Sequence, residues 1–165
     1  MSTVHLLHGL PGTGKTTLAR KLKSDCKAVC LSHDEWMVKL YGTNPASANF
    51  AEYHDRILSL LWQIAGEFIK RDIDVVLDHG FWTRRSRDEA RAMVVSLGAT
   101  PKLYRLVCPD AVADARVLAR AKAGIVDCLR IDEHALRVFH SRYEPLQPDE
   151  DHIRMSTEPD RQESE

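Results

Sequence analysis

The sequence predicts a three-layer α/β fold, with about five mainly parallel strands and helices covering both faces. Three observations predict it. Short apolar runs alternate with segments of helical periodicity along the 165 residues, and parallel neighbours need long crossovers of that kind. A glycine-rich segment separates the first run from the first helix, and a carboxylate closes the third run. No internal repeat or linker-like stretch divides the chain. One domain is therefore expected over 1–156, with a polar, disordered tail over 157–165.

The first apolar run is Val4–Leu7. Leu18, Ala19 and Leu22 then recur on one helical face. Ala28–Leu31 is β-compatible and stops at Ser32-His33-Asp34. Tyr53, Ile57, Leu61, Ile64 and Phe68 predict a helix from Glu52 to Arg71. Asp74–Asp78 is a β-branched strand ending in a carboxylate. Arg87–Leu97 is an amphipathic helix closed by Gly98. Lys102–Val107 is the fourth strand, ended by Pro109. Ala111–Lys122 is alanine-rich and helical, as is Asp132–Tyr143 before Pro145. His152–Met155 is a last edge strand.

Composition narrows the function classes. A formal net charge of −1 gives no global attraction to duplex nucleic acid or anionic membrane. No run approaches the roughly 18 apolar residues of a membrane span. The first residues lack a basic leader pattern, so a cytoplasmic location is expected. Cys26, Cys30, Cys108 and Cys128 show no paired zinc-ligand spacing and read as buried thiols.

Gly9-Leu10-Pro11-Gly12-Thr13-Gly14-Lys15-Thr16 matches G-x-x-x-x-G-K-[ST] without a mismatch, and Thr17 follows in the helix. Glycines let successive N–H groups turn inward onto phosphate oxygens, and the helix start adds its positive end. In such a loop Lys15 meets the β- and γ-phosphates and the Thr16 hydroxyl ligates Mg²⁺. The pattern therefore predicts a P-loop NTPase fold holding ATP with Mg²⁺. Asp78, ending its strand, is a second candidate for the metal or its water; the alternative is a turn cap.

Three features point to transfer onto a hydroxyl. Asp34 lies just past the second strand, where ligands of open α/β sheets collect. It is a candidate general base and acceptor contact, or an N-cap for the following helix; Glu35 is the fallback base. Arg116 and Arg120, one turn apart, suit charge on a transferring phosphoryl group, as a lid, or form a solvated basic face. His79-Gly80-Phe81-Trp82-Thr83-Arg84 offers an apolar wall and an anion contact for an acceptor, unless Phe81 and Trp82 face the core. Trp36, Met37 and Tyr41 are an opposite wall or core residues. A guanine-reading N-K-x-D segment is missing, as is the last glycine of a G-x-G-x-x-G.

His5–Leu22, Asp34, Leu77-Asp-His-Gly-Phe-Trp-Thr83, Arg116 with Arg120, and Arg142-Tyr-Glu-Pro145 occur in an order that resembles a known group. It is the small P-loop kinases allied to zeta toxins, chloramphenicol phosphotransferase and bacterial polynucleotide kinases, AAA-type ATP-binding proteins. The resemblance implies a five-stranded parallel sheet, a phosphate and Mg²⁺ role for Lys15 and Thr16, a base at Asp34, and a lid carrying Arg116 and Arg120. The D-x-x-R arginine of polynucleotide kinases is replaced by Met37 here, which favours a small acceptor. The expected activity is thus an ATP-dependent kinase acting on a small-molecule hydroxyl, such as a metabolite, amino sugar or antibiotic. A polynucleotide 5′-hydroxyl kinase using Arg84, Arg85, Arg87 and Arg91, and a nucleotide-dependent switch without acceptor, are the alternatives.

Overall fold

The computed structural model describes residues 1–125 and 128–157. The strands are β1 (Thr3–His8), β2 (Val29–Ser32), β3 (Val75–Gly80), β4 (Thr100–Val107) and β5 (Ile153–Ser156). They form one sheet in the order β2-β3-β1-β4-β5, and every neighbouring pair is parallel. The helices are α1 (Lys15–Asp25), α2 (His33–Tyr41), α3 (Phe50–Ile69), α4 (Arg84–Ser96), α5 (Asp110–Lys122) and α6 (Glu133–Arg142).

Alternation along the strands builds a core on each face of the sheet. Val4 and Leu6 of β1, with Val75 and Leu77 of β3, pack among Ile57, Leu61 and Ala65 of α3 and Ala90 and Val94 of α4. The intervening Leu7 and Val76 turn to the opposite face, against Leu18 and Ala19 of α1. On α3, Ile57, Leu61, Ala65 and Ile69 form the i, i+4 stripe that period 3.6 demands, and all are buried. Cutting Leu61 to Ala there costs about 2–5 kcal/mol.

Boundaries move where a cap decides them. Thr83 Oγ1 accepts the Ser86 N–H at 3.1 Å, so α4 starts at Arg84 instead of Arg87. Ser32 likewise caps α2 by accepting the Glu35 N–H at 3.4 Å. Cys26 is exposed and the other cysteines are half-buried, which corrects their reading as buried thiols. Among the described residues, no helix is long and apolar enough to cross a membrane.

The chain crosses from β2 through β3 to one side of β1 and continues to β4 on the other. The carboxyl end of β1 is thus the point where the sheet order reverses, the usual place for a ligand crevice.

Candidate active site

The loop Gly9–Thr16 leaves that end of β1. Gly12 and Gly14 have φ of +82° and +96°, left-handed values that side chains disfavour, and they curl the loop. Gly14 is the N-cap of α1, and neither a side-chain cap nor a first-turn acid occupies this helix end. The first N–H groups of α1 therefore lack intrahelical partners, and the positive end of the helix faces the loop. Thr13 Oγ1 and Lys15 Nζ both donate to the Leu10 carbonyl, at 2.7 and 2.9 Å. The end of β3 braces the loop: Gly9 N–H donates to the Gly80 carbonyl at 3.2 Å, and Trp82 Nε1 donates to the Gly9 carbonyl at 3.1 Å. From α5, Arg116 Nη1 donates to the Gly12 carbonyl at 3.3 Å.

A cleft of about 810 Å³ opens over the loop, within the usual range of small-ligand sites. Pro11, Gly12, Gly14, Lys15, Thr16 and Thr17 line it together with Asp34, Asp78, Arg116 and Arg120. Leu10 and Thr13 are buried and shape the loop from beneath. Leu129, Ile131 and Met155–Thr157 also line the cleft, and sequence reasoning missed them. Thr157 was grouped with the tail, yet its N–H donates to the Val107 carbonyl at 3.1 Å. A Cβ on Gly14 would lie 3.0 Å from the Thr157 methyl. The rest of the expected tail, 158–165, lies outside the described residues.

The polar groups of the cleft are coupled. Thr16 Oγ1 donates to Asp78 Oδ2 at 3.1 Å. Burial raises the Asp78 carboxyl above the ordinary range and Asp34 adds repulsion, against the pull of Lys15. Burial lowers the Lys15 ammonium, opposed by Asp78 and Asp34. For Asp34 the surrounding protein acts against the charge, but His33, 3.6 Å away, and Lys15 outweigh it and its pKa falls. The Asp34 side chain keeps 67% of its surface open, and with Ser32 as the cap it is not engaged at the helix start. Glu35 pairs with Lys39 at 3.1 Å on the surface and lines no part of the cleft. Unpartnered N–H groups beside an ammonium suit a triphosphate, and a hydroxyl beside a carboxylate suits Mg²⁺.

The segment after Asp78 departs from the expected acceptor wall. Phe81 is 3% exposed and belongs to the core. Trp82 spends its indole N–H on Gly9 and packs on Phe139, ring centroids 4.9 Å apart. Arg84 does not reach the cleft; Asp149 holds it bidentately at 2.9 Å and Asp88 at 2.8 Å. Asp88 is on α4 itself, while Asp149 lies on a segment folded back against α4, which local sequence does not reveal. Arg85 pairs with Glu89, Arg87 with Glu150, and Arg91 with Asp88 and Glu150. Met37 is fully buried, while Trp36 and Tyr41 pack against the core. His79 instead joins His33 and His54, with ring centroids 4.5 to 5.1 Å apart. Burial, then the two neighbouring imidazoles, push His79 down to about 3.

Residues 4–146 match the AAA domain family. The chain is similar to a protein from Chloroflexus aurantiacus provisionally termed a kinase, at 20% identity and a TM-score of 0.76, over 94% of this chain and 88% of that one. It is similar to Kti12 of Chaetomium thermophilum, solved with ADP-AlF3, at 16% identity and 0.72, over 96% and 91%. It is also similar to the APS kinase CysC of Mycobacterium tuberculosis, solved with AMPPNP and APS, at 20% identity and 0.62, over 96% and 90%. These likenesses give a shared three-layer P-loop NTPase fold. By its matched span, the chain belongs to the AAA domain family.

Proposed function

We propose that this chain is an ATP-dependent kinase that transfers the γ-phosphoryl group to a hydroxyl of a small-molecule acceptor. The observation that carries the reading is the meeting of Lys15, Thr16, Asp34 and Asp78 in one cleft. Lys15 and the free N–H groups at the start of α1 bind the phosphates; Thr16 and Asp78 are the ligands available to Mg²⁺. That ion, when bound, neutralises charge on the β- and γ-phosphates. Asp34 takes the hydroxyl proton as the acceptor oxygen bonds to the γ-phosphorus, and the bond to the β-phosphate oxygen breaks, releasing ADP. Arg120 is the cleft cation available to the transferring group, whereas Arg116 steadies the loop through Gly12. Leu129, Ile131 and Met155 give the cleft an apolar margin suited to a nucleobase.

Two observations support a small acceptor. The four arginines of α4, the best candidates for tracking a phosphate backbone, each have a carboxylate partner, so little positive field is left for a polynucleotide. The APS kinase of the same fold was solved with AMPPNP and APS. The test is a γ-labelled ATP screen over nucleosides, oligonucleotides, sugars and amino-sugar or phenicol antibiotics. Label should appear on a small hydroxyl compound and vanish from it with Asp34→Asn. Slow hydrolysis indifferent to every acceptor points to a switch, and labelled oligonucleotide ends to a polynucleotide kinase; either result overturns the reading.

A further inference from the structure

His33, His54 and His79 stand on three different elements: the first residue of α2, the first turns of α3 and the carboxyl end of β3. One ring nitrogen from each lies within 4.8 Å of the other two. We propose that these three imidazoles form a binding site for one divalent transition-metal ion of the zinc type, beside the phosphate cleft and separate from the Mg²⁺ ligands. This does not rest on the kinase reading.

The alternative is simple packing of three flat rings. Three features favour a ligand set. First, the nitrogens are close, yet the rings form no hydrogen bonds to one another among the described residues. Three imidazoles in one pocket fill space less well than aliphatic side chains and leave polar nitrogens to satisfy. Second, the rings are aimed. The His54 Nδ1 faces Asp55 Oδ1 at 3.1 Å and the His33 Nδ1 faces Asp34 Oδ1 at 3.6 Å. The Asp55 carboxylate behind His54 fixes the tautomer that leaves its Nε2 to ligate, the usual outer arrangement of metal-bound histidine. His33 Nε2 donates to the His54 carbonyl at 3.2 Å and would give up that proton and contact for the metal. Third, His79 makes no ring hydrogen bond among the described residues, while Phe81 holds it edge-on at a centroid distance of 5.0 Å.

Size is compatible. Zinc–nitrogen bonds of about 2.0–2.1 Å set tetrahedral ligands roughly 3.3 Å apart, so small ring rotations close the 4.8 Å span. Imidazole nitrogens select zinc, cobalt or nickel over magnesium, which prefers oxygen. Three protein ligands leave a fourth position for water or a ligand oxygen. A bound ion would tie Asp34's helix to α3 and β3.

A second group, His5, Cys26 and Asp74, also has ligand atoms within 4.8 Å, so the test separates the two. Tag-free, chelator-stripped protein carrying Cys26→Ser is titrated with Co²⁺ and then Zn²⁺ under excess Mg²⁺, with calorimetry and visible spectra. One equivalent of Co²⁺ should bind with ligand-field bands and no thiolate charge transfer, and Zn²⁺ should displace it and raise the melting temperature. His54→Gln and His79→Gln, each checked for folding by circular dichroism, should each weaken Co²⁺ binding by roughly tenfold or more. No stoichiometric Co²⁺ binding in the Cys26→Ser protein, or binding that both glutamine variants leave intact, overturns the proposal.

Discussion

Thr16 Oγ1 donates to Asp78 Oδ2 at 3.1 Å, joining the first turn of α1 to the third strand across the floor of the cleft. The bond sets a hydroxyl and a carboxylate oxygen side by side without an ion. Replacing Asp78 by Asn keeps an acceptor oxygen but removes the charge that a cation needs. Asp78→Asn should raise the Mg²⁺ concentration for half-maximal transfer and lower the rate by about a hundredfold. A Mg²⁺ titration of acceptor phosphorylation checks this; an unchanged Mg²⁺ midpoint would remove Asp78 from the site.

Asp34 should keep its charge further into acid than Asp78, whose raised carboxyl sets the onset of the acid limb. The folded pKa of Asp34 lies below the ordinary value because His33 and Lys15 outweigh desolvation. The base is therefore ionised at any pH above that of a free aspartate, about 3.9. The acid limb of kcat/KM assigned to this group should fall below that value. Asp34→Asn should cost about 10²–10⁴ in transfer while ATP affinity stays near wild type. Parallel pH–rate and ATP-binding measurements separate the two, and equal losses in both would contradict a base.

Arg87 and Glu150, both side chains fully buried, form a bidentate pair at 2.7 and 2.9 Å. Arg87 also donates to the carbonyls of Trp82 and Glu144, each at 3.0 Å. It fastens the segment after α6 to the residues that brace Gly9. Arg87→Met leaves the buried Glu150 charge with only the looser ionic contacts of Arg91 at 3.5 Å and Arg84 at 3.9 Å and should cost about 3 kcal/mol. Adding Glu150→Leu should recover much of that loss. Denaturant midpoints of the three proteins decide; additive losses would mean that the pair is not the source.

His8 should make the protein acid-sensitive above the range of its carboxylates. Its Nδ1 donates to the Phe81 carbonyl at 2.9 Å, which fixes the neutral tautomer, and its Nε2 is buried without a partner among the described residues. Burial pushes His8 down to about 4, with Arg87 adding repulsion and Glu150 and the backbone opposing. A free imidazole titrates near 6.5, so between these values the unfolded chain binds the proton more tightly. The His8 contribution to stability is complete above about 6.5 and falls as pH drops toward 4, by up to about 1.4 kcal/mol per pH unit, and buried His79 adds to the slope. His8→Asn retains a donor for Phe81 and should flatten that slope in chemical unfolding at several pH values. An unaltered slope would place the proton uptake elsewhere.

The phosphate loop, Asp34 and Asp78 were legible because each is local: a glycine pattern or a carboxylate at a strand end. The N-cap of α2 was written as Ser32-x-x-Glu35, a capping-box spacing that removes Asp34 from the cap position. The pairing of α4 was not legible, because Glu150 lies 63 residues from Arg87 in the chain. Phe81 reads in sequence as either acceptor wall or core; with a φ of +43° it is buried in the core. The histidine group was hidden because His54 shows its role only when α3 lies across the end of β3. Thr157 was hidden too, since a polar residue after an edge strand carries no mark of the cleft it borders.

Calorimetry of ATP with Mg²⁺ on wild-type protein and Lys15→Ala goes to the core of the proposal. The wild-type chain should bind one ATP, and loss of the Lys15 ammonium should weaken binding by roughly tenfold or more and abolish transfer. Equal ATP affinity and turnover in the two proteins would mean that the Gly9–Thr16 loop does not hold a triphosphate.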